Sequence, residues 1–152
     1  MKGEFYARLG QQAKGLMDGE RDLIANMANL SALLFNEMDE VNWAGFYLYK
    51  EGELVLGPFQ GMPACIRIPL GKGVCGTAAE KRETQVVFDV HDFEGHIACD
   101  AASNSEIVIP LEIDGELIGV LDIDSPVTGR FDDEDKAGLE VIVQHLLATQ
   151  RA

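Results

Sequence analysis

Apolar residues recur at helical spacing near both ends of the chain. Two such stretches lie near the N-terminus, and a third closes the sequence. Side chains three and four positions apart share one helix face, so this spacing predicts three amphipathic helices with apolar stripes in the core. The acidic segment FDDED precedes the third stretch, and acids favour a helix N-terminus. In chain order, the three stripes consist of Phe5, Tyr6, Leu9, Ala13, Leu16 and Met17; Leu23, Ile24, Met27, Leu30, Leu34 and Met38; and Leu139, Ile142, Val143, Leu146 and Leu147.

Between these helices, alternating or continuous apolar runs predict β-strands. In the stretch 41–50, VNWAGFYLYK, Ala44 and Phe46 share one face, and Trp43 and Tyr47 share the other. The glycine-led stretch GKGVCGTAAEKRE predicts one more helix, and residues 89–104 predict a long loop. The order of elements indicates an α+β fold, with an antiparallel sheet whose one face is covered by helices. Further strands are predicted in LVLGPF, CIRIPL, TQVVFDV, SEIVIPLEI and ELIGVLDID.

The last two strands form a hairpin whose register can be predicted. Each strand carries an apolar row at every second position, at 107–113 and at 117–123. A slip of one residue would send one row to the wrong face. Keeping the rows together predicts Ile113 opposite Leu117, a three-residue loop over 114–116, and Glu106 opposite Asp124.

This register gathers carboxylates on the other face of the sheet. Glu106, Asp122 and Asp124 converge at one end of that face. If Ala44 and Phe46 of the first strand pack on the helices, Trp43 and Tyr47 lie on the same face as these acids. An aromatic wall with a few convergent acids predicts a pocket for a small amphiphile that carries a cationic group. A solvent-exposed face with scattered acids is the alternative.

Length and composition predict a single globular domain spanning 1–152. Hydrophobic residues make up 47% of the chain and charged residues 25%, which is typical of folded domains. The N-terminus lacks the apolar core of a signal peptide, and no run of about 18 apolar residues occurs. We therefore expect a cytoplasmic protein that neither spans nor binds a membrane.

The net charge of −14 narrows the choice of partners. Residues 89–135 contain fourteen acids and a single base, Arg130. Nucleic acid is excluded as a partner, because its phosphates would be repelled. The run Asp132–Asp135 is typical of a solvated acidic face.

Three cysteines, Cys65, Cys75 and Cys99, are the candidates for chemistry. An odd number without a secretion signal argues against a structural disulfide framework. A zinc site formed by the cysteines with His91 or His96 is disfavoured, because the chain has no Cys-x-x-Cys pair. Loop histidines are more often surface hydrogen-bonding residues than catalysts. The residues alone leave Cys99 as a core residue, a metal ligand or a nucleophile.

Three motifs carry a resemblance to a known family. The segments GMPACIRIPLGKGVCG, DVHDFEGHIACDAASNSEIVIPL and VNWAGFYLY resemble the free methionine-(R)-sulfoxide reductases, which are stand-alone GAF-domain enzymes. The similarity runs over nearly the whole chain, with no departure at any motif position. It implies a GAF fold, with N- and C-terminal helices on one face of an antiparallel sheet and a ligand pocket on the other.

The resemblance also implies roles for individual residues. Cys99 matches the nucleophile, Cys65 the main resolving cysteine, and Cys75 an auxiliary one. Trp43 and Tyr47 match the wall around the methylthio group of the substrate. The acids that bind the sulfoxide oxygen and the amino group are matched by Glu106, Asp122 and Asp124.

By the same resemblance, the expected reaction is reduction of free methionine (R)-sulfoxide to methionine. A sulfenic acid on the nucleophile would condense with a second thiol, and a thioredoxin-like dithiol would reduce the resulting disulfide. No cofactor and no metal are expected, and a homodimer is suggested by the family alone. The rival functions are a small-molecule sensor, since many GAF domains only bind ligands, and a thiol redox sensor without a methionine substrate.

Overall fold

The computed structural model describes residues 1–95 and 102–151. In these residues the chain forms one antiparallel sheet in an α+β fold, as predicted, although one short helix also packs on the face expected to carry only the pocket. Whether 1–152 is a single domain stays a prediction. The elements in chain order are α1 (Lys2–Met17), α2 (Leu23–Glu37), β1 (Trp43–Lys50), β2 (Glu53–Gly61), β3 (Arg67–Pro69), α3 (Gly73–Lys81), β4 (Gln85–Val87), a 3-10 turn (Val90–Asp92), β5 (Ser105–Ile113), β6 (Glu116–Ser125) and α4 (Asp133–Ala148).

The sheet order is β3-β2-β1-β6-β5-β4. The long strands β1, β6 and β5 are therefore adjacent, although β1 lies far from the other two in sequence. Glu106 on β5 pairs with Asp124 on β6, which confirms the register predicted for the body of the hairpin. On its other side β6 pairs with β1, and Trp43 lies opposite Asp124.

The predicted register is wrong at the hairpin turn. Ile113 pairs with Glu116, and the connection is a two-residue turn of Asp114 and Gly115, with φ of 52° and 81°. Positive φ at both positions is the geometry of the tight turns that match strand twist. The register returns to the predicted one through a β-bulge, because Leu111 faces Gly119 whereas Glu112 faces Leu117.

The bulge also changes which face two apolar side chains use. Ile118 is the extra residue on β6, and it packs against the core beneath the helices. Leu117, expected on that face, belongs to the core on the opposite face. The alternation therefore holds from Gly119 to Asp124 but is inverted next to the turn.

Two apolar cores lie on opposite faces of the sheet. The larger core joins α1, α2 and α4 to the inward rows of β1, β5 and β6, with Phe46, Ile107 and Leu121 fully buried. The smaller core joins α3 to the other face and contains Trp43 and Tyr47. The N- and C-terminal helices thus cover one face, as predicted, and leave the other to α3 and the carboxylates. No helix within the described ranges combines the length and apolarity needed to cross a membrane.

The start of α4 is held by a capping box and an ion pair. The Asp132 carboxylate accepts from the backbone N–H of Asp135, and the Asp135 carboxylate accepts from the N–H of Asp132. Lys2 on α1 donates to both carboxylates, at 2.8 and 2.7 Å. The hydrogen bond from Lys2 lowers the pKa of Asp132 from 3.8 to about 2. The acidic segment therefore joins the first helix to the last.

This arrangement predicts a specific loss of stability in acid. A carboxyl group whose pKa is lowered by folding stabilises the fold above its unfolded pKa and loses that contribution as the pH falls toward its folded pKa. Asp132→Asn keeps a capping oxygen but removes the charge. We expect its melting temperature to fall less than that of the wild type between pH 4 and pH 2.

The control is Asp133→Asn, which removes a charge from the same helix turn at an exposed position. Its melting temperature should follow the wild-type pH dependence. Identical pH dependence in all three proteins would show that the ion pair between Lys2 and Asp132 does not contribute.

Candidate functional site

Strand pairing brings the predicted carboxylates and aromatic residues together on the sheet face opposite α1, α2 and α4. Asp124 lies between Trp43 on β1 and Glu106 on β5, and Asp122 lies opposite Gly45. Because alternate side chains point to the same face, the side chains of 43, 106, 122 and 124 share it. The sheet therefore forms a site with an aromatic side and an acidic side.

Three aromatic rings form the aromatic side of the site. The Trp43 ring stacks on Tyr47, with centroids 6.0 Å apart, and on Phe59, with centroids 5.1 Å apart. Phe59 is not among the wall residues predicted from the sequence. Gly45 lies opposite Phe59, and a Cβ at Gly45 would overlap the Phe59 side chain. A glycine between two aromatic residues of a strand was the available signal, because it marks a place where another group approaches closely.

The polar atoms of the two buried aromatic residues hold the loop between β2 and β3. Trp43 Nε1 donates to the Met62 carbonyl at 3.0 Å, and Tyr47 Oη donates to the Cys65 carbonyl at 2.9 Å. Both side chains are buried, and buried polar groups of this kind normally find partners. Trp43 and Tyr47 therefore position the loop that carries Cys65, besides forming the wall.

The carboxyl groups lie where charge is costly. Glu106 is 8% exposed and Asp122 is 5% exposed. Burial, followed by the nearby charges of Asp122 and Asp124, raises the pKa of Glu106 well above its usual value. Burial also raises the pKa of Asp122. Within the described ranges, Oδ1 of Asp122 is buried without a hydrogen-bond partner. A cationic or hydrogen-bond-donating ligand would relieve both costs.

Cys75 reaches the same acids from α3. Its Sγ lies 3.9 Å from Oε2 of Glu106, and it is a buried free thiol. Burial and the charges of Asp122 and Glu106 raise the pKa of this thiol, so it is a poor nucleophile as it stands. A Cβ at Gly76 would overlap the carbonyl oxygen of Pro69, so a glycine there lets α3 approach β3 closely.

The remaining cysteines and histidines considered for the site differ in their burial and in their partners. Cys65 is half-buried and disulfide-bonded, unlike Cys75. His91 is exposed, and its Nδ1 lies 2.8 Å from Oδ1 of Asp89, which is the surface setting favoured above. Cys99 and His96 lie outside the described residues.

In the described part of the chain, the group of side chains that could share a metal ion is Cys75, Glu106 and Asp122. Their ligand atoms all lie within 4.8 Å of one another. This group differs from the set of cysteines and histidines that the sequence suggests for zinc. Its two oxygen ligands come from adjacent central strands and its sulfur from a helix, so the spacing of cysteines gave no sign of it.

Comparison with known proteins identifies the fold and its relatives. A GAF domain family model matches residues 25–148. The chain is 58% identical, over 95% of its length and 88% of the relative's, to the free methionine-R-sulfoxide reductase of Escherichia coli (strain K12). It is 44% identical to the free methionine-R-sulfoxide reductase of Saccharomyces cerevisiae (strain ATCC 204508 / S288c), over 94% of this chain and 84% of the relative.

A solved structure extends the likeness to the whole fold. The structure of fRMsr of Staphylococcus aureus in complex with substrate superposes with a TM-score of 0.93 and 56% identity, covering 96% of this chain and 95% of the other. The likeness thus covers both sheet faces and the helices described above. The chain therefore belongs to the GAF-domain family and, within it, to the free methionine-R-sulfoxide reductases.

Proposed function

We propose that this chain reduces free methionine (R)-sulfoxide to methionine, with Cys99 as the nucleophile. The observation that carries the proposal is the pairing of a buried acidic cluster with an aromatic wall on one sheet face. A free amino acid with an apolar side chain has the matching chemistry, because it carries an ammonium group at one end and a methylthio group at the other.

The acidic cluster suits an ammonium ligand in two ways. Buried carboxyl groups that crowd one another favour a bound cation, which offsets their repulsion and their lost hydration. The unpartnered Oδ1 of Asp122 supplies an acceptor for one N–H of that ammonium. A methionine sulfoxide residue inside a peptide lacks this charge, so the same cluster selects the free amino acid.

The reaction begins with attack of the Cys99 thiolate on the sulfoxide sulfur. A carboxylic acid of the cluster donates a proton to the oxygen, which makes it a better leaving group. The protonated oxygen then moves from the substrate sulfur to the Cys99 sulfur as a hydroxyl group, the transient bond between the two sulfurs and the sulfur–oxygen bond of the substrate break, and methionine leaves. Cys99 then carries a sulfenic acid. Glu106 is a suitable donor, because its burial favours the protonated form.

The second half of the proposed cycle uses Cys65. Its thiol condenses with the Cys99 sulfenic acid, releasing water and forming a disulfide. Cys65 is disulfide-bonded whereas Cys75 is a free thiol, and this difference supports Cys65 as the main resolving cysteine. A thioredoxin-like dithiol then reduces the disulfide by exchange. Cys75 is proposed as an auxiliary resolving cysteine only.

The relatives support the substrate. Two of them are named free methionine-R-sulfoxide reductases, and the Staphylococcus aureus fRMsr structure contains its substrate. The remaining expectations, a thioredoxin-like partner, a homodimer, a cytoplasmic location and the lack of a cofactor, stay predictions.

The direct test is to supply the protein with racemic free methionine sulfoxide and a thioredoxin system, and to measure methionine and the surviving isomer. We expect methionine to form while the (S)-sulfoxide survives. A ligand sensor or a thiol redox sensor would form no methionine, and equal loss of both isomers would refute the stereochemical assignment.

The proposed roles of Cys99 and Cys65 predict different defects when each is replaced by serine. Cys99→Ser should form no methionine, because a hydroxyl is far less ionised than a thiol. Cys65→Ser should still form about one methionine per chain in a single turnover, since attack requires only Cys99, while its thioredoxin-driven turnover falls sharply. Quenched single-turnover and steady-state assays separate the two.

Cys75→Ser is the matched control for these variants. It should retain faster thioredoxin-driven turnover than Cys65→Ser. If Cys75→Ser stops recycling while Cys65→Ser cycles like the wild type, the roles of these two cysteines are reversed.

The acidic cluster predicts how the substrate's amino group affects the rate. A hydrogen bond to a charged group contributes about 1.5–3 kcal/mol, which corresponds to roughly 10- to 150-fold in kcat/KM. We expect Asp122→Asn to lose about that factor with free methionine sulfoxide. We also expect N-acetylmethionine sulfoxide, which lacks the ammonium, to be a poor substrate of the wild type.

The variant should discriminate less between the two substrates than the wild type does, because part of the ammonium site is gone. Asp114→Asn, at the hairpin tip where positive φ is tolerated by Asn, is the control and should behave like the wild type. If Asp122→Asn discriminates between the two substrates as strongly as the wild type does, Asp122 does not bind the ammonium group.

A further inference from the structure

We propose that the acidic side of this site is also a binding site for Zn²⁺, held by Cys75 Sγ and one carboxylate oxygen each from Glu106 and Asp122. This inference goes beyond the proposed reaction, in which Cys75 has an auxiliary role and no metal takes part. The ion would be an exogenous ligand that occupies the acidic side of the site, not a resident cofactor.

The positions of the three ligand atoms carry the proposal. They lie within 4.8 Å of one another, and the distance from Cys75 Sγ to Glu106 Oε2 is 3.9 Å. Zinc bond lengths of about 2.3 Å to sulfur and about 2.0 Å to oxygen place tetrahedral ligands roughly 3.5 Å apart. Small side-chain rotations are therefore enough to close the site around an ion.

A second, separate observation points to a ligand at this place. Asp122 is 5% exposed, and its Oδ1 has no hydrogen-bond partner within the described ranges. A buried carboxylate oxygen without a partner is costly. A metal ion would supply the missing partner, and it would also offset the repulsion between Asp122 and Glu106.

The ligand types favour zinc over the common hard cations. Ca²⁺ and Mg²⁺ prefer oxygen ligands alone, whereas a thiolate with carboxylates suits Zn²⁺. On binding, the Cys75 thiol and the protonated Glu106 carboxyl group lose their protons to the buffer as the bonds to zinc form. Three protein ligands leave one position of a tetrahedral ion open for water.

The site has a consequence for the substrate. In the proposed function the substrate ammonium occupies the same acids, so Zn²⁺ and the amino acid exclude each other. This consequence rests on the proposed function, whereas metal binding itself does not. A rise in free Zn²⁺ would then inhibit the enzyme without oxidising any cysteine.

The test uses Co²⁺, which replaces zinc and reports thiolate ligation by a charge-transfer absorption in the near ultraviolet. Fully reduced protein, freed of reductant under anaerobic conditions, is titrated with Co²⁺. We expect the absorption to saturate at about one ion per chain, as for a single site with one thiolate ligand. The readout requires no catalysis, so it is informative even if the proposed reaction fails.

Three cysteine variants identify the ligand. Cys75→Ser should lose the absorption, whereas Cys65→Ser and Cys99→Ser should keep it. An absorption that survives in Cys75→Ser, or its absence in the wild type, overturns the proposal. Circular dichroism of each variant without metal checks that a lost signal is not lost folding.

The exclusion of substrate is tested with the product, methionine, which cannot react. At a methionine concentration 100 times its dissociation constant, the apparent affinity for Co²⁺ should fall about 100-fold. Zn²⁺ should also slow single-turnover methionine formation by the wild type, and a matched assay of Cys75→Ser should show less inhibition. An unchanged Co²⁺ affinity in the presence of methionine refutes the shared site.

Discussion

The pairing of β6 with both β1 and β5 is the constraint on which the site depends. Helices α1, α2 and α4 bury the apolar row of these strands, including Phe46, Ile107 and Leu121. Since side chains alternate, burial of that row fixes the other row as well. A slip of one residue would place acids in the helix-side core. The hydrophobic effect on one face therefore fixes the position of the acids on the other.

The acidic cluster is held together against its own electrostatic cost. Glu106 and Asp122 are buried. Burial raises the pKa of both, and the nearby charges of Asp122 and Asp124 raise that of Glu106 further. Such groups accept a bound cation more readily than solvated acids do, because the ligand restores lost solvation and cancels charge. The aromatic wall gives the same site an apolar side, and its hydrogen bonds to the loop at 62–65 connect the wall with the position of Cys65.

The sequence is a sufficient guide to the fold where periodic burial decides the structure. It predicted the helices, the sheet and the pairing of Glu106 with Asp124, because each follows from the spacing of apolar residues. It failed at the hairpin tip, where positive φ at Asp114 and a bulge at Ile118 outweighed the simple alternation. It also missed the stacking of Phe59 and the approach of Cys75 to the acids, since both depend on contacts between elements distant in the chain. Cys99 could be chosen from the resemblance alone.

The central claim is that the acids of β5 and β6 bind the amino group of the substrate while the aromatic wall contacts its methylthio group. A crystal structure of the reduced protein with methionine bound tests this most directly. We predict that the ammonium nitrogen lies within about 3 Å of carboxylate oxygens of the cluster, with the methylthio group against the Trp43 ring. An ammonium group exposed to solvent, or methionine bound elsewhere on the chain, would contradict the account.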